Sequence, residues 1–152
     1  MRIALLKLFL IIMALSIQNT AANAQEKPRL NHIAIYVDNL ETSAQFYRDV
    51  VGLDTIPEPF HDGRHAWFTL GGGGQLHVIS GPGTPKEKNK NNHLCFSIPS
   101  VAEFTKKLDA LKITFENWAG DKGQVTTRPD GIKQIWFRDP NGYWIEFNDD
   151  YK

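Results

Sequence analysis

The chain has 152 residues, with 17 Lys and Arg against 17 Asp and Glu and a single cysteine. A balanced charge without a basic stripe gives nucleic acid or an anionic membrane no footing, which leaves a small molecule as the expected partner. Cys95 can form no intramolecular disulfide, so the apolar core must hold the fold alone.

Arg2 and Lys7 precede an apolar run from Leu8 to Ile17 and a polar stretch closing on Ala22-Asn23-Ala24. This is the layout of a secretory signal peptide cleaved before Gln25. The apolar run is about half the roughly 20 residues needed to span a bilayer, so no stable membrane anchor is expected after cleavage. Residues 1–24 are read as the signal peptide and 25–152 as one domain, secreted or periplasmic. Losing two basic residues leaves 15 against 17 acidic ones, a net charge of about −2.

Asn31-His32-Ile33-Ala34-Ile35-Tyr36-Val37 alternates as a strand does. Asn39 is then placed to cap a helix whose buried stripe is Ala44, Tyr47, Val50 and Val51, ended by Gly52. A less distinct strand follows, and Ala66-Trp67-Phe68, a Gly71 to Gly74 turn and Leu76-His77-Val78 predict a strand pair. His61 and His65 fall in the loop before it and are expected at the rim or in solvent. Residues 81–91, with two prolines, two glycines and three lysines, read as a linker.

The pattern then repeats. Asn92-His93-Leu94-Cys95-Phe96-Ser97-Ile98 overlays the first strand at an offset of 61, and Ser100 with Glu103 forms a capping box for a helix burying Val101, Phe104, Leu108 and Leu111. Ile135-Trp136-Phe137, Asp139-Pro140-Asn141-Gly142 and Ile145-Glu146-Phe147 answer the first copy's strand pair at an offset of 69. The change of offset places an eight-residue insertion in the polar stretch around Ala119 to Gly131. The expected fold is α+β: two βαβββ modules, about 30–80 and 92–149, forming a curved mixed sheet with a concave metal-binding face.

Strand alternation turns Ile33, Ile35, Val37, Leu94, Phe96 and Ile98 toward the helices and His32 and His93 the other way. The same parity sets His77 and Glu146 on the helix-free face. His32 corresponds to His93 and His77 to Glu146, so the repeat implies one shared site of three imidazoles and a carboxylate. Such a set suits a divalent Zn, Ni, Co, Fe or Mn ion. Tyr36 and Ser97 share this face and are candidate substrate contacts. Of the four tryptophans, Trp144, two residues from Glu146, is the pocket candidate, with Trp67 and Trp136 expected in the core.

His32-Ile33-Ala34-Ile35-Tyr36-Val37 running on to Phe46-Tyr47 and Val51-Gly52-Leu53, then His93-Leu94-Cys95-Phe96-Ser97-Ile98, then Phe137 through Asp139-Pro140-Asn141-Gly142 to Glu146-Phe147, together resemble the vicinal oxygen chelate superfamily. That superfamily includes glyoxalase I, extradiol dioxygenases, fosfomycin-resistance proteins, methylmalonyl-CoA epimerase and bleomycin-binding proteins. The resemblance implies ligands at His32, His77, His93 and Glu146. It also implies a substrate chelated through two neighbouring oxygens, whose developing negative charge the metal stabilises.

A glyoxalase-like lyase or isomerase is the leading expectation, with Glu146 as the catalytic base. An Fe(II) extradiol dioxygenase would use His32 or His77 with His93 and Glu146. A third class, non-catalytic small-molecule binding, is less expected because such members lack the metal ligands. The modules can pair within one chain or swap between chains, and a homodimer is expected. Glutathione-using glyoxalases carry an arginine four residues after the first ligand and an asparagine four after the second, where this chain has Tyr36 and Gly81. His77 stands where bacterial glyoxalases place glutamate.

Overall fold

Ile35 and Val37 are buried and His32 is exposed, as the alternation of the first strand requires. The computed structural model describes residues 29–83 and 88–151. The expected signal peptide and linker residues 84–87 lie outside the described residues.

The first module runs β1 (His32–Val37), α1 (Leu40–Phe46), a π-helical turn (Tyr47–Val51), β2 (Thr55–Ile56), β3 (His65–Gly71) and β4 (Gly74–Ser80). The second runs β5 (His93–Ser97), α2 (Val101–Ala110), β6 (Thr126–Thr127), β7 (Lys133–Arg138) and β8 (Trp144–Asn148). This is the expected βαβββ unit, twice. Each module carries its own four-stranded mixed sheet, ordered β1-β4-β3-β2 and β5-β8-β7-β6. β1 lies parallel to β4 and β5 parallel to β8, with the other pairs antiparallel.

Both helices start where their caps dictate. The Asn39 side chain accepts from the Thr42 amide and the Ser100 hydroxyl from the Glu103 amide, each satisfying an amide the helix leaves open. The first helix widens into the π-helical turn and stops at Gly52, whose φ of 91° lies in the left-handed region. Leu111, expected on the buried stripe of α2, is exposed because the helix ends at Ala110 and Leu111 is its C-cap. Lys107, in the last turn of α2, donates to the Val50 carbonyl at 2.9 Å and so ties the two helices together.

One apolar cluster serves both repeats, with Val37, Tyr47, Phe68, Leu76, Ile135 and Phe147 all at its centre. Polar bonds join the modules as well. Asp139 accepts from the buried Tyr47 hydroxyl at 3.0 Å, and the Tyr143 hydroxyl bridges the amide and carbonyl of Tyr36 at 3.2 Å each. Where β1 meets β5, a cavity of about 160 Å³ is lined by Ile33, Ala34, His93, Leu94, Tyr143 and Trp144.

The segment that enters the insertion pairs with the second sheet. Glu116 bridges to Trp136 and to Lys122, and Asn117 and Asp121 bond through backbone and side chain. Glu116 thereby extends the second sheet beside β7, and the Trp118 ring lies 5.5 Å from that of Trp136.

Candidate metal centre

In the first module β1 and β4 pair Ala34 with His77, and β3 and β4 pair Trp67 with His77. Cross-strand partners point to one face of a sheet, so His32, His77 and Trp67 share the helix-free face. Their rings form a stack: His32 to His77 at 4.2 Å and 9°, and His77 to Trp67 at 3.9 Å and 2°. Burial first, and then the neighbouring His32 and His65, lower the His77 pKa from its ordinary value. A neutral imidazole is the form that ligates a metal.

In the second module the pairs are His93 with Trp144, Cys95 with Glu146, and Glu146 with Trp136. His93 Nε2 lies 3.0 Å from Glu146 Oε2. The other carboxylate oxygen, Glu146 Oε1, accepts from Gln134 Nε2 and from Asn148 Nδ2. Burial, followed by the Glu146 charge, pushes the Cys95 thiol up to about 12, so the thiolate is not available at neutral pH.

The four candidate ligands therefore stand as two pairs, His32 with His77 and His93 with Glu146. Among the described residues no three His, Cys, Asp or Glu side chains come close enough together to hold an ion. His32 and His77 belong to the first sheet and His93 and Glu146 to the second, so each pair remains on its own sheet. The donor chemistry nevertheless fits a divalent metal. Asn31 Oδ1 engages His32 Nδ1 at 2.8 Å and the Lys90 carbonyl engages His93 Nδ1 at 2.8 Å. Both arrangements leave Nε2 as the ligating atom, the usual outcome of a hydrogen bond at the other ring nitrogen. His77 differs, because its Nε2 is held by Gln75 Oε1 at 2.8 Å.

The expected substrate contacts are all on this face, and each already has protein partners. The Tyr36 ring lies against Gly81 and its hydroxyl donates to the Pro82 carbonyl at 3.3 Å. The Ser97 hydroxyl donates to Asn148 Oδ1 at 3.2 Å. Trp144 is buried between cations, with the Arg138 guanidinium 4.1 Å and the Lys90 ammonium 4.9 Å from its ring centroid.

Three residues belong to this face that the sequence reading placed elsewhere. Trp67 and Trp136, expected in the core, sit directly across from His77 and Glu146, and their indole N–H groups are buried without a partner. The signal was parity: Phe68 on one strand and Ile135 and Phe137 on the other fill the helix-side positions. His65, expected at the rim, is the first residue of β3, mostly buried, with Nδ1 2.8 Å from Asp62 Oδ1. This bond to His65 is the main cause lowering the Asp62 pKa. His61 is exposed, as expected.

The chain matches the family model of the Glyoxalase/Bleomycin resistance protein/Dioxygenase superfamily over residues 29–147. It is 26% identical to "Glyoxylase I 4" of Arabidopsis thaliana over 132 residues, covering 83% of this chain and 73% of that protein. It is 32% identical over 127 residues to a manganese-dependent 2,3-dihydroxybiphenyl 1,2-dioxygenase of Geobacillus genomosp. 3, covering 80% of this chain but 36% of that protein. Among solved structures, a lactoylglutathione lyase from Agrobacterium tumefaciens superposes with a TM-score of 0.58 at 25% identity, covering 82% of this chain and 94% of that one. With two βαβββ modules and a family match across nearly all of the described residues, the chain belongs to the glyoxalase, bleomycin resistance and dioxygenase superfamily.

Proposed function

We propose that this is an exported, metal-dependent enzyme of the glyoxalase-like lyase or isomerase kind, acting on a small molecule with two neighbouring oxygens. The observation that carries the reading is the symmetry of the donor pairs. His32 with His77 on one sheet and His93 with Glu146 at the equivalent places on the other make two half-sets of ligands. A twofold-related second copy, docked with its second module against the first module of this chain and the reverse, supplies each half with its complement.

A divalent ion held there supplies Lewis acidity to the chelated oxygens. The chain's own residues do the rest. Glu146 is the base that takes the proton from the carbon beside those oxygens, while Gln134 and Asn148 fix one of its carboxylate oxygens and leave the other facing His93. Trp67 and Trp136 wall the site, and their unpartnered N–H groups favour an oxygen-rich ligand.

A dioxygenase is the second reading. It is favoured by the Geobacillus relative and by His65, whose Asp62-bound imidazole faces the same side as His77 and is placed to carry a proton.

The test is complementation. His32→Ala and Glu146→Ala should each lose bound metal, and mixing the two unfolded and refolded together should restore occupancy, because one site of the mixed dimer is wild type. Metal bound by a monomer, or no recovery on mixing, would overturn the shared site. Protein recovered from its native compartment should begin at Gln25. Metal analysis with a screen of diols, catechols and 2-oxo compounds then separates the reactions, oxygen uptake marking the dioxygenase.

A further inference from the structure

Near the end of the linker between the repeats, Lys90 is held by three acceptors and three indole rings. Lys90 Nζ donates to Glu116 Oε1 at 2.7 Å, to the Asn117 carbonyl at 2.7 Å and to the Trp118 carbonyl at 3.2 Å. The same ammonium lies 5.7, 5.2 and 4.9 Å from the ring centroids of Trp118, Trp136 and Trp144. Three acceptors match the three N–H donors of an ammonium, and three indoles enclose it, an arrangement that stabilises a desolvated cation. Only 15% of the Lys90 side chain is exposed.

Surface lysines are ordinarily mobile and weakly bound, so a cage of this kind needs a purpose. The main chain supplies one. The Lys90 carbonyl is the group that engages His93 Nδ1 at 2.8 Å, three residues along the chain. A carbonyl oxygen can only accept, so Nδ1–H points at it, and this turns Nε2 toward Glu146 Oε2 at 3.0 Å. The ammonium cage anchors the residue, and the residue's carbonyl sets the orientation of the imidazole. Glu116 and Trp118 sit just before the segment that the second repeat has gained.

We propose that Lys90 is a positioning residue, whose caged ammonium fixes the carbonyl that orients His93 toward Glu146 and holds it ready to ligate a metal. The metal arm of this inference rests on the proposed function, whereas the orientation arm does not.

The test uses the full mature chain carrying Lys90→Met, which keeps the stem and removes the charge and all three donors. In the metal-free protein, the ¹⁵N chemical shift of His93 Nδ1 should move away from that of a ring nitrogen donating to a carbonyl, as the Nδ1 contact to the Lys90 carbonyl loosens. Zinc titration should show affinity falling by about 10- to 100-fold, the usual cost of losing the outer support of a ligand. Lys88→Met is the control, because Lys88 lies over the Tyr143 ring and its carbonyl accepts from Trp144 rather than His93. It should leave the His93 shifts unchanged.

If Lys90→Met fails to fold, Glu116→Gln, which keeps the shape and removes the carboxylate charge, should shift the His93 signals in the same direction. Unchanged His93 shifts in a folded Lys90→Met or Glu116→Gln protein would overturn the proposal. A wild-type protein that binds no zinc while its His93 shifts still depend on Lys90 would overturn the metal reading and leave the positioning role standing.

Discussion

A Cβ placed on Gly81 would come within 1.9 Å of the Tyr36 hydroxyl oxygen and 2.7 Å of the ring carbon that bears it, so these two residues share one volume. A side chain at 81 must displace the tyrosine, and the Tyr36 ring needs a glycine at 81. Gly81→Ala should therefore cost about 1–3 kcal/mol of stability, the usual range for overpacking. In a Tyr36→Ala background the same change should cost little. Denaturant unfolding of the two single variants and the double variant gives the coupling, and additive costs would show that the contact does not govern Gly81.

The same contact bears on the substrate. By the family resemblance, glutathione-using members are expected to carry arginine and asparagine where this chain has Tyr36 and Gly81, which together fill that corner of the face. Turnover of glutathione hemithioacetals should be negligible. A rate of about 1 per second or more, ordinary for an enzyme, would show that this corner does not decide specificity.

Glu146 can be tested for two roles at once. Glu146→Gln keeps the shape and the bonds that Gln134 and Asn148 direct at the side chain, and removes the base. In a lyase or isomerase the rate should fall about 100- to 10,000-fold and stay low at saturating metal. Recovery of full turnover on adding metal would reduce Glu146 to a ligand and move the dioxygenase reading ahead.

Asp139 gives a pH prediction. Burial raises its pKa above the ordinary value, against the bonds from Tyr143, Tyr47 and Asn141 that lower it. A carboxyl raised on folding contributes stability when protonated, and that contribution is lost as pH rises through the folded-state value. Wild type should therefore gain stability relative to Asp139→Asn as pH falls from 7 toward the unfolded carboxyl value of about 3.9. Paired unfolding curves across that range check the sign. An unchanged difference would mean that Asp139 titrates alike in both states.

Tyr47 is the partner in that bond. Desolvation and then the Asp139 charge raise its pKa, so it remains a neutral donor throughout. Tyr47→Phe removes the 3.0 Å bond inside the core and should cost about 1–3 kcal/mol, the penalty of leaving a buried acceptor short of a partner. A loss below about 0.5 kcal/mol would show that the amides of Asn141 and Tyr143, which already donate to the other carboxylate oxygen, satisfy Asp139 alone.

The two modules, their caps and the face shared by His32, His77, His93 and Glu146 were legible in the sequence. Each depends on local rules that act over a few residues: strand parity, helix capping and the register of a repeat against itself. The same parity would have put Trp67 and Trp136 on the ligand face, had their apolar character not suggested the core. Other features depended on contacts between distant segments. That the ligands gather as two pairs follows from β1 pairing with β4 and β5 with β8, a choice of neighbour to which the alternation within either strand is indifferent. The capture of Lys90 by three tryptophans and Glu116, and through it the setting of His93, required the linker and the segment before the insertion to meet over the second sheet. No local pattern encodes that meeting, because only tertiary structure decides which buried groups become neighbours.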